Sequence, residues 1–248
     1  MKLVTMLYGL TCYAVSMLML VLFILFANNH ISVLGVDNWL GLNINQTHIQ
    51  IGTSALLVNI GLLLAFGVQH SVMARASFKK VLTSVIPETW ERSTYLLATA
   101  GVLYLIIWYW QAMPGVLWHV EGEMARNVIT AIYYSGWLIT LLATFMLNHF
   151  HLFGLQQSFK SDDPDAGVKE FKTPMFYSLV RHPIQTGVVI AMFATPDMTI
   201  GRALLAVGML VYIGIGLYYE EKDLIDYFGD TYRQYKKRVP ALLPFKKG

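Results

Sequence analysis

The sequence predicts an all-α membrane protein: a polytopic bundle of about five to six spanning helices, followed by an amphipathic helix near the carboxyl terminus. Its composition is the first reason. Hydrophobic residues make up 56% of the 248 residues and charged residues only 13%, whereas soluble domains carry roughly 25% charged residues. The second reason is that the apolar residues gather in runs of about 20, the length that crosses a bilayer as a helix.

Six apolar runs are candidate spans: 5–27, 51–69, 93–111, 128–147, 176–195 and 202–219. The first has no cleavage site of small residues, so we expect a retained helix rather than a removed signal peptide. The fifth is interrupted by Arg181, His182 and Pro183, and a short Pro/Gly connection joins it to the sixth. These two runs should therefore form a hairpin that need not cross in the ordinary way.

The cations predict the orientation of the spans. Of the 18 Lys and Arg residues, only Arg126 and Arg202 fall in the connections 28–50, 112–127 and 195–202. Positive residues mark the cytoplasmic side of a membrane, so both termini should be cytoplasmic and these three connections should face outward. The net charge of +3 is too small to indicate nucleic-acid binding.

Three segments outside the spans have patterns of their own. Residues 72–85 place apolar and basic side chains at helical spacing, which predicts a short amphipathic helix at the membrane interface. Residues 158–174 are polar and indicate an exposed loop. The tail, 222–239, combines a helical stripe with a basic opposite face, and Gly229 is a candidate interruption. The stripe is Leu224, Phe228, Tyr232, Tyr235 and Val239, and the basic face is Lys222, Arg233, Lys236 and Lys237.

The cluster Arg181-His182-Pro183 has two interpretations. In the first, proline breaks a helix at a binding site, Arg181 binds a carboxylate, His182 donates or accepts a hydrogen bond, and Gly187 lets a flat ligand approach the backbone. In the second, an interfacial Arg-His pair simply starts a helix whose first turn contains Pro183. The residues alone leave both open.

Glu220 and Glu221 also have two interpretations. We expect them at the cytoplasmic end of the sixth span, where the helix dipole favours cations instead. Either both acids are solvated, or at least one of them binds a ligand. In the second case the carboxylate would accept from a ribose diol, or pair with an ammonium or sulfonium group of the ligand. The predicted hairpin would bring them beside Arg181.

The C-terminal part follows the pattern RHPxxxG and then, after an apolar run, EExxLxxxFGxxYxxYxxxVPxLLP. With this spacing the chain resembles the isoprenylcysteine carboxyl methyltransferase and phospholipid methyltransferase superfamily, whose C-terminal half binds S-adenosylmethionine at the cytosolic face. The residues that carry the pattern are Arg181, His182, Pro183, Gly187, Glu220, Glu221, Leu224, Phe228, Gly229, Tyr232, Tyr235, Val239 and Pro240.

Further segments resemble the NnrU-like branch of this superfamily and, within it, the bacterial methanethiol S-methyltransferases. They are QHSVMAR (69–75), ERSTY (91–95), NHFHLFGLQQ (148–157) and ATPDMTIG (194–201). Two residues depart from the pattern. Gln185 stands where many members have tyrosine or leucine. Gln156 stands where many relatives have arginine, which would leave Arg181 or Gln157 to bind the cofactor's carboxylate.

The resemblance implies a single-domain enzyme of a bacterial inner membrane that methylates methanethiol to dimethyl sulfide. Residues 1–175 would form the substrate side, and residues 176–248 the cofactor core under the amphipathic tail. The S-adenosylmethionine site would comprise Gln157, Arg181, His182, Pro183, Gly187, Glu220, Glu221 and Tyr232. The thiol site would comprise His70, Arg75, Tyr95, Asn148 and His149.

The chemistry of the thiol supports a search for a base. A small thiol is mostly protonated at neutral pH, and its thiolate is the nucleophile, so a general base or a hydrogen-bonding neighbour would help. His149 and His151 are two residues apart and point in different directions on a helix, so we expect only one to face a pocket. Together with His182 they could suggest a metal site, but no acidic partner lies at helical spacing, and we expect no metal.

Two alternatives remain at this point. The acceptor could instead be a prenylcysteine carboxylate or a lipid amine, entering from the bilayer. The chain could also be a non-enzymatic NnrU-like membrane protein of nitrogen-oxide metabolism. No oligomeric state is predicted.

Overall fold

The computed structural model describes residues 2–28, 42–159 and 171–245. The centre of the predicted exposed loop and part of the first connection, 28–50, lie outside these residues. The elements are α1 (Lys2–Ala27), α2 (Ala55–Ala74), α3 (Ala76–Thr83), a 3-10 turn (Glu88–Trp90), α4 (Glu91–Tyr109), β1 (Val116–His119), α5 (Glu123–Met146), α6 (His149–Leu152), α7 (Leu155–Phe159), α8 (Phe176–Leu179), α9 (Pro183–Phe193), β2 (Asp197–Thr199), α10 (Ile200–Phe228) and α11 (Asp230–Arg238).

Four helices in the described part are long and apolar enough to cross a membrane, namely α1, α2, α5 and α10. The prediction of an all-α membrane protein is thereby confirmed. Helix α4, the predicted third span, is not among these four. Helix α9 has only 11 residues and is about 16 Å long, too short for a hydrocarbon core of about 30 Å. The number of five to six spans stays a prediction.

The chain forms two compact units. Unit one contains the described parts of Met1–Val120, Phe150–Pro164 and Asp197–Gly208; unit two contains those of Glu121–His149, Asp165–Pro196 and Met209–Gly248. Helix α10 contributes its first turns to unit one and the remainder to unit two. The prediction of one domain stays a prediction.

Unit one is organised around α4, which packs against α1 and α2. The buried residues of α1 recur at alternating steps of three and four, which makes a narrow seam along one side of the helix. They include Gly9, Cys12, Ser16, Met19, Phe23 and Phe26. At Gly9 a side chain would collide with Ser158 of α7, since an added Cβ would lie 2.2 Å from its Oγ.

The helices of unit one alternate in direction. Tyr8 and Thr94 are joined by a hydrogen bond of 2.9 Å, which places the start of α1 beside the start of α4. Asn59 donates to the carbonyl of Gln111 at 2.8 Å, which places the start of α2 beside the end of α4. The side of the membrane that each end faces stays a prediction.

The described parts of the three cation-poor connections meet at one end of unit one. Thr199 Oγ1 donates to Asn45 Oδ1 at 2.8 Å, and β1 pairs antiparallel with β2. These short strands are an addition to the predicted all-α fold. Arg202, predicted to lie in an outward connection, is fully buried here, and its Nη1 donates to the carbonyl oxygen of Ala27.

Unit two is built on the contact between α5 and α9. The two helices approach closely because glycines face each other. A Cβ added to Gly187 would lie 2.3 Å from the carbonyl oxygen of Gly136 and 2.4 Å from Thr140 Oγ1. Thr140 Oγ1 also donates to the carbonyl of Ile184 at 3.0 Å.

Two boundaries in unit two differ from the prediction. The sixth apolar run was expected to end at 219, but α10 continues to Phe228, so Glu220 and Glu221 lie inside a helix and the argument from the helix dipole is wrong. The tail is not one helix over 222–239. It breaks at Gly229, whose φ of 58° favours glycine, and only Tyr232 and Tyr235 of the predicted stripe are fully buried.

The predicted interfacial helix is shorter than the pattern suggested. It forms as α3, eight residues without a buried side chain. Val72 belongs to α2 instead, and Val85 follows α3 with 82% of its surface exposed.

Candidate functional site

The cluster Arg181-His182-Pro183 lies in a break between two helices. Helix α8 ends at Leu179, Val180 is extended, and His182 is the N-cap of α9, with Pro183 in the first turn. Proline suits this position because its missing N–H would have no partner in a helix anyway. The two interpretations of the sequence predicted a helix break and a proline in the first turn of a helix, and the structure contains both features.

Glu221 gathers the polar side chains around this break. Its Oε1 accepts hydrogen bonds from Arg181 Nε at 2.7 Å and from His182 Nε2 at 3.1 Å. Arg181 Nη2 lies 2.5 Å from the same oxygen, and Lys236 Nζ lies 2.5 Å from Oε2. We call Arg181, His182, Glu221 and Lys236 the Glu221 cluster. A carboxylate only 8% exposed requires such partners, because burying an unpaired charge is costly.

The same break binds the tail of the chain. Arg181 Nη1 donates to the carbonyls of Lys236, at 3.2 Å, and Val239, at 2.5 Å. The backbone N–H groups of Arg181 and His182 donate to the carbonyls of Pro240, at 2.9 Å, and Ala241, at 3.1 Å. The guanidinium of Arg181 is thus occupied within the chain rather than presented to a ligand.

Glu220 takes a different position from Glu221. It is exposed, and its Oε2 accepts a hydrogen bond from Gln185 Nε2 at 3.3 Å. His182 Nδ1 lies 3.8 Å from the same oxygen. Gln185, which departs from the family pattern, therefore makes a polar contact with Glu220.

Tyr232 brings a buried hydroxyl group to unit two. The side chain is 2% exposed, and its hydroxyl has no hydrogen-bond partner among the residues that the structure describes. Its neighbour Tyr235 is satisfied, since it donates to the carbonyl of Tyr177 at 2.5 Å. Burial raises the pKa of Tyr232, so the hydroxyl stays protonated. A buried donor without an acceptor costs about 1–3 kcal/mol, so the Tyr232 hydroxyl is a candidate group for ligand binding.

Gly187 does not face an open site. Its missing side chain is accounted for by the contact with Gly136 and Thr140, not by the approach of a flat ligand. We therefore leave Gly187 out of the cofactor site proposed below.

Two of the predicted thiol-site residues meet in unit one. Tyr95 Oη lies 2.7 Å from His70 Nε2, and His70 Nδ1 lies 3.2 Å from Thr99 Oγ1. Thr99 donates its own hydrogen to the carbonyl of Tyr95 at 3.0 Å, so His70 Nδ1 must carry the proton and Nε2 must accept from Tyr95. Arg92 lies over the Tyr95 ring, 4.9 Å from its centre.

Arg75 and Gln157 also belong to unit one. Arg75 lies at the junction of α2 and α3, in extended backbone. Gln157 Nε2 donates to the carbonyl of His151 at 3.0 Å. The Oε1 atom of Gln157 is buried and has no hydrogen-bond partner within the described ranges.

Asn148 and His149 lie in unit two, directly after α5. Asn148 has a φ of 84°, which asparagine tolerates better than most residues. His149 is buried, stacks on Phe145 with ring centres 4.2 Å apart, and has Nδ1 2.8 Å from Thr144 Oγ1. Since Thr144 donates its hydrogen to the carbonyl of Leu141, His149 Nδ1 is the donor and Nε2 is the basic nitrogen.

Burial lowers the pKa of His149 below its usual 6.5, so the ring is neutral at pH 7. Burial also lowers the pKa of His151, with a smaller effect of Arg92. His149 is the more buried of the two, in accord with the expectation that the pair points in different directions.

Sequence reasoning did not find three residues that the geometry selects. Thr99 sets the tautomer of His70 and lies four residues after Tyr95, the other hydrogen-bond partner of His70. Thr144 sets the tautomer of His149 and lies five residues before it. Lys236 was placed on the basic face of the tail, although it follows Tyr232 by four residues, a spacing that puts both on one face. No group of three or more His, Cys, Asp or Glu in the described ranges could hold a metal, and the expected absence of a metal stays a prediction.

Comparison with known proteins gives the family. The family model described as NnrU protein matches residues 58–222. The methanethiol S-methyltransferase of Pseudomonas deceptionensis is 44% identical over 191 residues, covering 77% of this chain and 73% of that protein. The methanethiol S-methyltransferase of Mycobacterium tuberculosis is 40% identical over 243 residues, covering 97% and 96%.

A more distant relative is the nurim homolog of Drosophila melanogaster, 25% identical over 231 residues and covering 90% of this chain and 91% of that protein. No solved structure matches the chain significantly. Because the family model covers well over half of the chain, and relatives above 30% identity cover nearly all of it, the chain belongs to the NnrU family.

Proposed function

We propose that this protein is a membrane methyltransferase that converts methanethiol to dimethyl sulfide, with S-adenosylmethionine as the methyl donor. The acceptor is supported by the names of relatives that match nearly the whole chain, such as that of M. tuberculosis. The observation that carries the cofactor proposal is the buried Tyr232 hydroxyl, a donor that the described residues leave without an acceptor.

The residues of unit two fit the polar groups of S-adenosylmethionine. The cofactor has a carboxylate, an ammonium group and a ribose diol, and the site has a buried hydroxyl at Tyr232 and carboxylates at Glu220 and Glu221. His182 and Arg181 hold Glu221 in place, and Pro183 begins the helix that carries this break. Gln157 lies in unit one, and its assignment to the cofactor site rests on the resemblance alone.

When bound, S-adenosylmethionine supplies a methyl group already activated on a sulfonium. The chain's own residues must therefore orient the thiol, exclude water and receive one proton. Even the thiol of free cysteine has a pKa of about 8.5, so a simple alkanethiol is mostly protonated at pH 7. We assign the proton to a neutral imidazole, at Nε2 of His149, which the hydrogen bond from Nδ1 to Thr144 leaves as the basic nitrogen.

The resemblance also assigns His70, Tyr95 and Arg75 of unit one, and Asn148 of unit two, to the thiol side. His70 Nε2 accepts from the Tyr95 hydroxyl, so Tyr95 becomes a more polarised phenol beside the Arg92 cation. Arg75 lies between α2 and α3, and Asn148 lies between α5 and α6.

We place the protein in the inner membrane of a bacterium, with both termini in the cytoplasm. The distribution of cations supports this orientation. It leaves the cation-rich segments on the side where a soluble cofactor is available.

Purified protein tests the proposal directly. With S-adenosylmethionine and methanethiol it should form dimethyl sulfide, identified by gas chromatography. A prenylcysteine and a lipid amine are supplied in parallel reactions, and methylation of one of these alone would refute the thiol assignment. If calorimetry detected no binding of S-adenosylmethionine in detergent or in nanodiscs, the methyltransferase proposal would fail and the non-enzymatic alternative would stand.

A further inference from the structure

The two cations of the Glu221 cluster are held very differently. Arg181 is 7% exposed, and its N–H groups reach Glu221 and the carbonyls of Lys236 and Val239. Turning this guanidinium toward a ligand would break several hydrogen bonds at once and release the tail. Arg181 therefore acts as a positioning residue for Glu221.

Lys236 is the cation that can exchange partners. Its side chain is 41% exposed, and its ammonium contacts Glu221 Oε2 at 2.5 Å. Among the described residues, Lys236 is the single donor to that oxygen, whereas Oε1 is shared by Arg181 and His182. The lysine end of this pair is partly exposed, whereas the carboxylate is buried, so the ammonium can leave when another cation takes its place beside Glu221.

Tyr232 lies one helical turn before Lys236 on α11. Residues four apart share a helix face, so Tyr232 and Lys236 place one neutral and one cationic donor on the same side of α11. The hydroxyl is buried and has no acceptor in the part of the chain that the structure describes. Two donors on one helix face, one cationic and one neutral, suit a carboxylate, and the Oε2 atom of Glu221, which contacts Lys236, suits a cation.

We propose that Lys236 and Tyr232 bind the carboxylate of an α-amino acid group, and that Glu221 Oε2 binds its ammonium. The ligand would be the amino-acid end of S-adenosylmethionine, so the inference rests on the proposed function. One internal ion pair, Lys236 with Glu221, opens, and two pairs with the ligand replace it. Since this end of the ligand carries one positive and one negative charge, the net charge of the site does not change, and no unpaired charge is buried.

The test compares two ligands that differ in the carboxylate alone. S-adenosylmethionine and decarboxylated S-adenosylmethionine share the ammonium, the sulfonium and the nucleoside. The variant Lys236→Met should bind S-adenosylmethionine about tenfold to hundredfold more weakly, the loss expected for a charged hydrogen bond. Its affinity for the decarboxylated ligand should stay within about threefold of wild type, because that ligand has no carboxylate to lose. Calorimetry without thiol measures both affinities and involves no turnover.

Lys237→Met is the matched control, since it removes the same charge from an exposed neighbour on the same helix. It should leave both affinities unchanged. Lys236→Arg should retain most of the binding of S-adenosylmethionine, which shows that the site is still folded.

The inference would be overturned if Lys236→Met lowered the affinity for both ligands by the same factor, or if it lowered the affinity for neither. Wild-type protein that binds neither ligand would instead refute the proposed function, so the two failures can be told apart.

Discussion

The close contact between α5 and α9 gives a sharp test of how unit two is built. An alanine at position 187 would place its Cβ 2.3 Å from the carbonyl oxygen of Gly136, 2.4 Å from Thr140 Oγ1 and 2.8 Å from Thr140 N. Ordinary contacts begin at 3.4 Å, so the two helices would have to separate by about 1 Å. Two of the three atoms belong to backbone, which cannot turn away as a flexible side chain could.

The cost has two parts. Overpacking of a tight contact costs about 1–3 kcal/mol. Separation also weakens the hydrogen bond from Thr140 Oγ1 to the carbonyl of Ile184, 3.0 Å long and worth about 1 kcal/mol. We therefore expect Gly187→Ala to lower the free energy of unfolding by about 2–4 kcal/mol.

Thermal unfolding in detergent measures this loss. Gly101→Ala is the control, because an added Cβ at Gly101 in α4 meets nothing within 4 Å; its helix should be stabilised by about 0.5–1 kcal/mol. The double variant of Gly136 and Gly187 should cost less than the sum of the single variants, since the helices separate only once. If Gly187→Ala unfolded like wild type but no longer bound S-adenosylmethionine, the helix-packing argument would be wrong and the glycine would serve the ligand.

Three further changes test the candidate site. Glu221→Gln should destabilise the protein by about 3 kcal/mol, because it leaves the buried Arg181 without its counter-charge. The exposed control Glu220→Gln should change stability by less than about 0.5 kcal/mol. Equal effects on the melting temperature would contradict the assignment of Glu221 as the buried partner. Tyr232→Phe should leave stability unchanged or raise it by about 1 kcal/mol, because it removes an unsatisfied hydroxyl. The same variant should bind S-adenosylmethionine about tenfold more weakly. Unchanged affinity would mean that the hydroxyl does not touch the cofactor. Burial places the pKa of His149 below its unfolded value of 6.5. The stability that its neutral ring contributes is therefore present above pH 6.5 and is lost as the pH falls toward the folded pKa. The melting temperature should fall more steeply between pH 7 and 5 in wild type than in His149→Gln, and parallel curves would refute this.

Much of the fold could be predicted because the membrane imposes simple rules. A run of about 20 apolar residues must form a helix, since lipid offers no partner for backbone N–H and C=O groups. The first four predicted spans accordingly correspond to helices whose ends differ by only a few residues from the predicted runs. The resemblance to the NnrU-like branch is confirmed by the family model and by the relatives.

The errors arose where distant residues decide a local structure. Adjacent acids at 220 and 221 look like the end of a spanning helix, but Arg181 and Lys236 neutralise Glu221, and the helix continues. Strands β1 and β2 pair connections that are far apart in the chain, and neither has a strand pattern long enough to recognise alone.

By itself, then, the sequence determined the membrane class, the positions of the apolar helices, the family and the residue types gathered at the proposed site. These follow from composition, periodicity and local motifs. Only the tertiary structure decided which partner each polar group takes. It showed that Arg181 is occupied by Glu221 and the tail, that Gly187 faces a helix, and that the hydroxyl of Tyr232 lacks an acceptor among the described residues. The physical reason is that hydrogen bonds and ion pairs act over a few ångströms, between groups that only folding brings together.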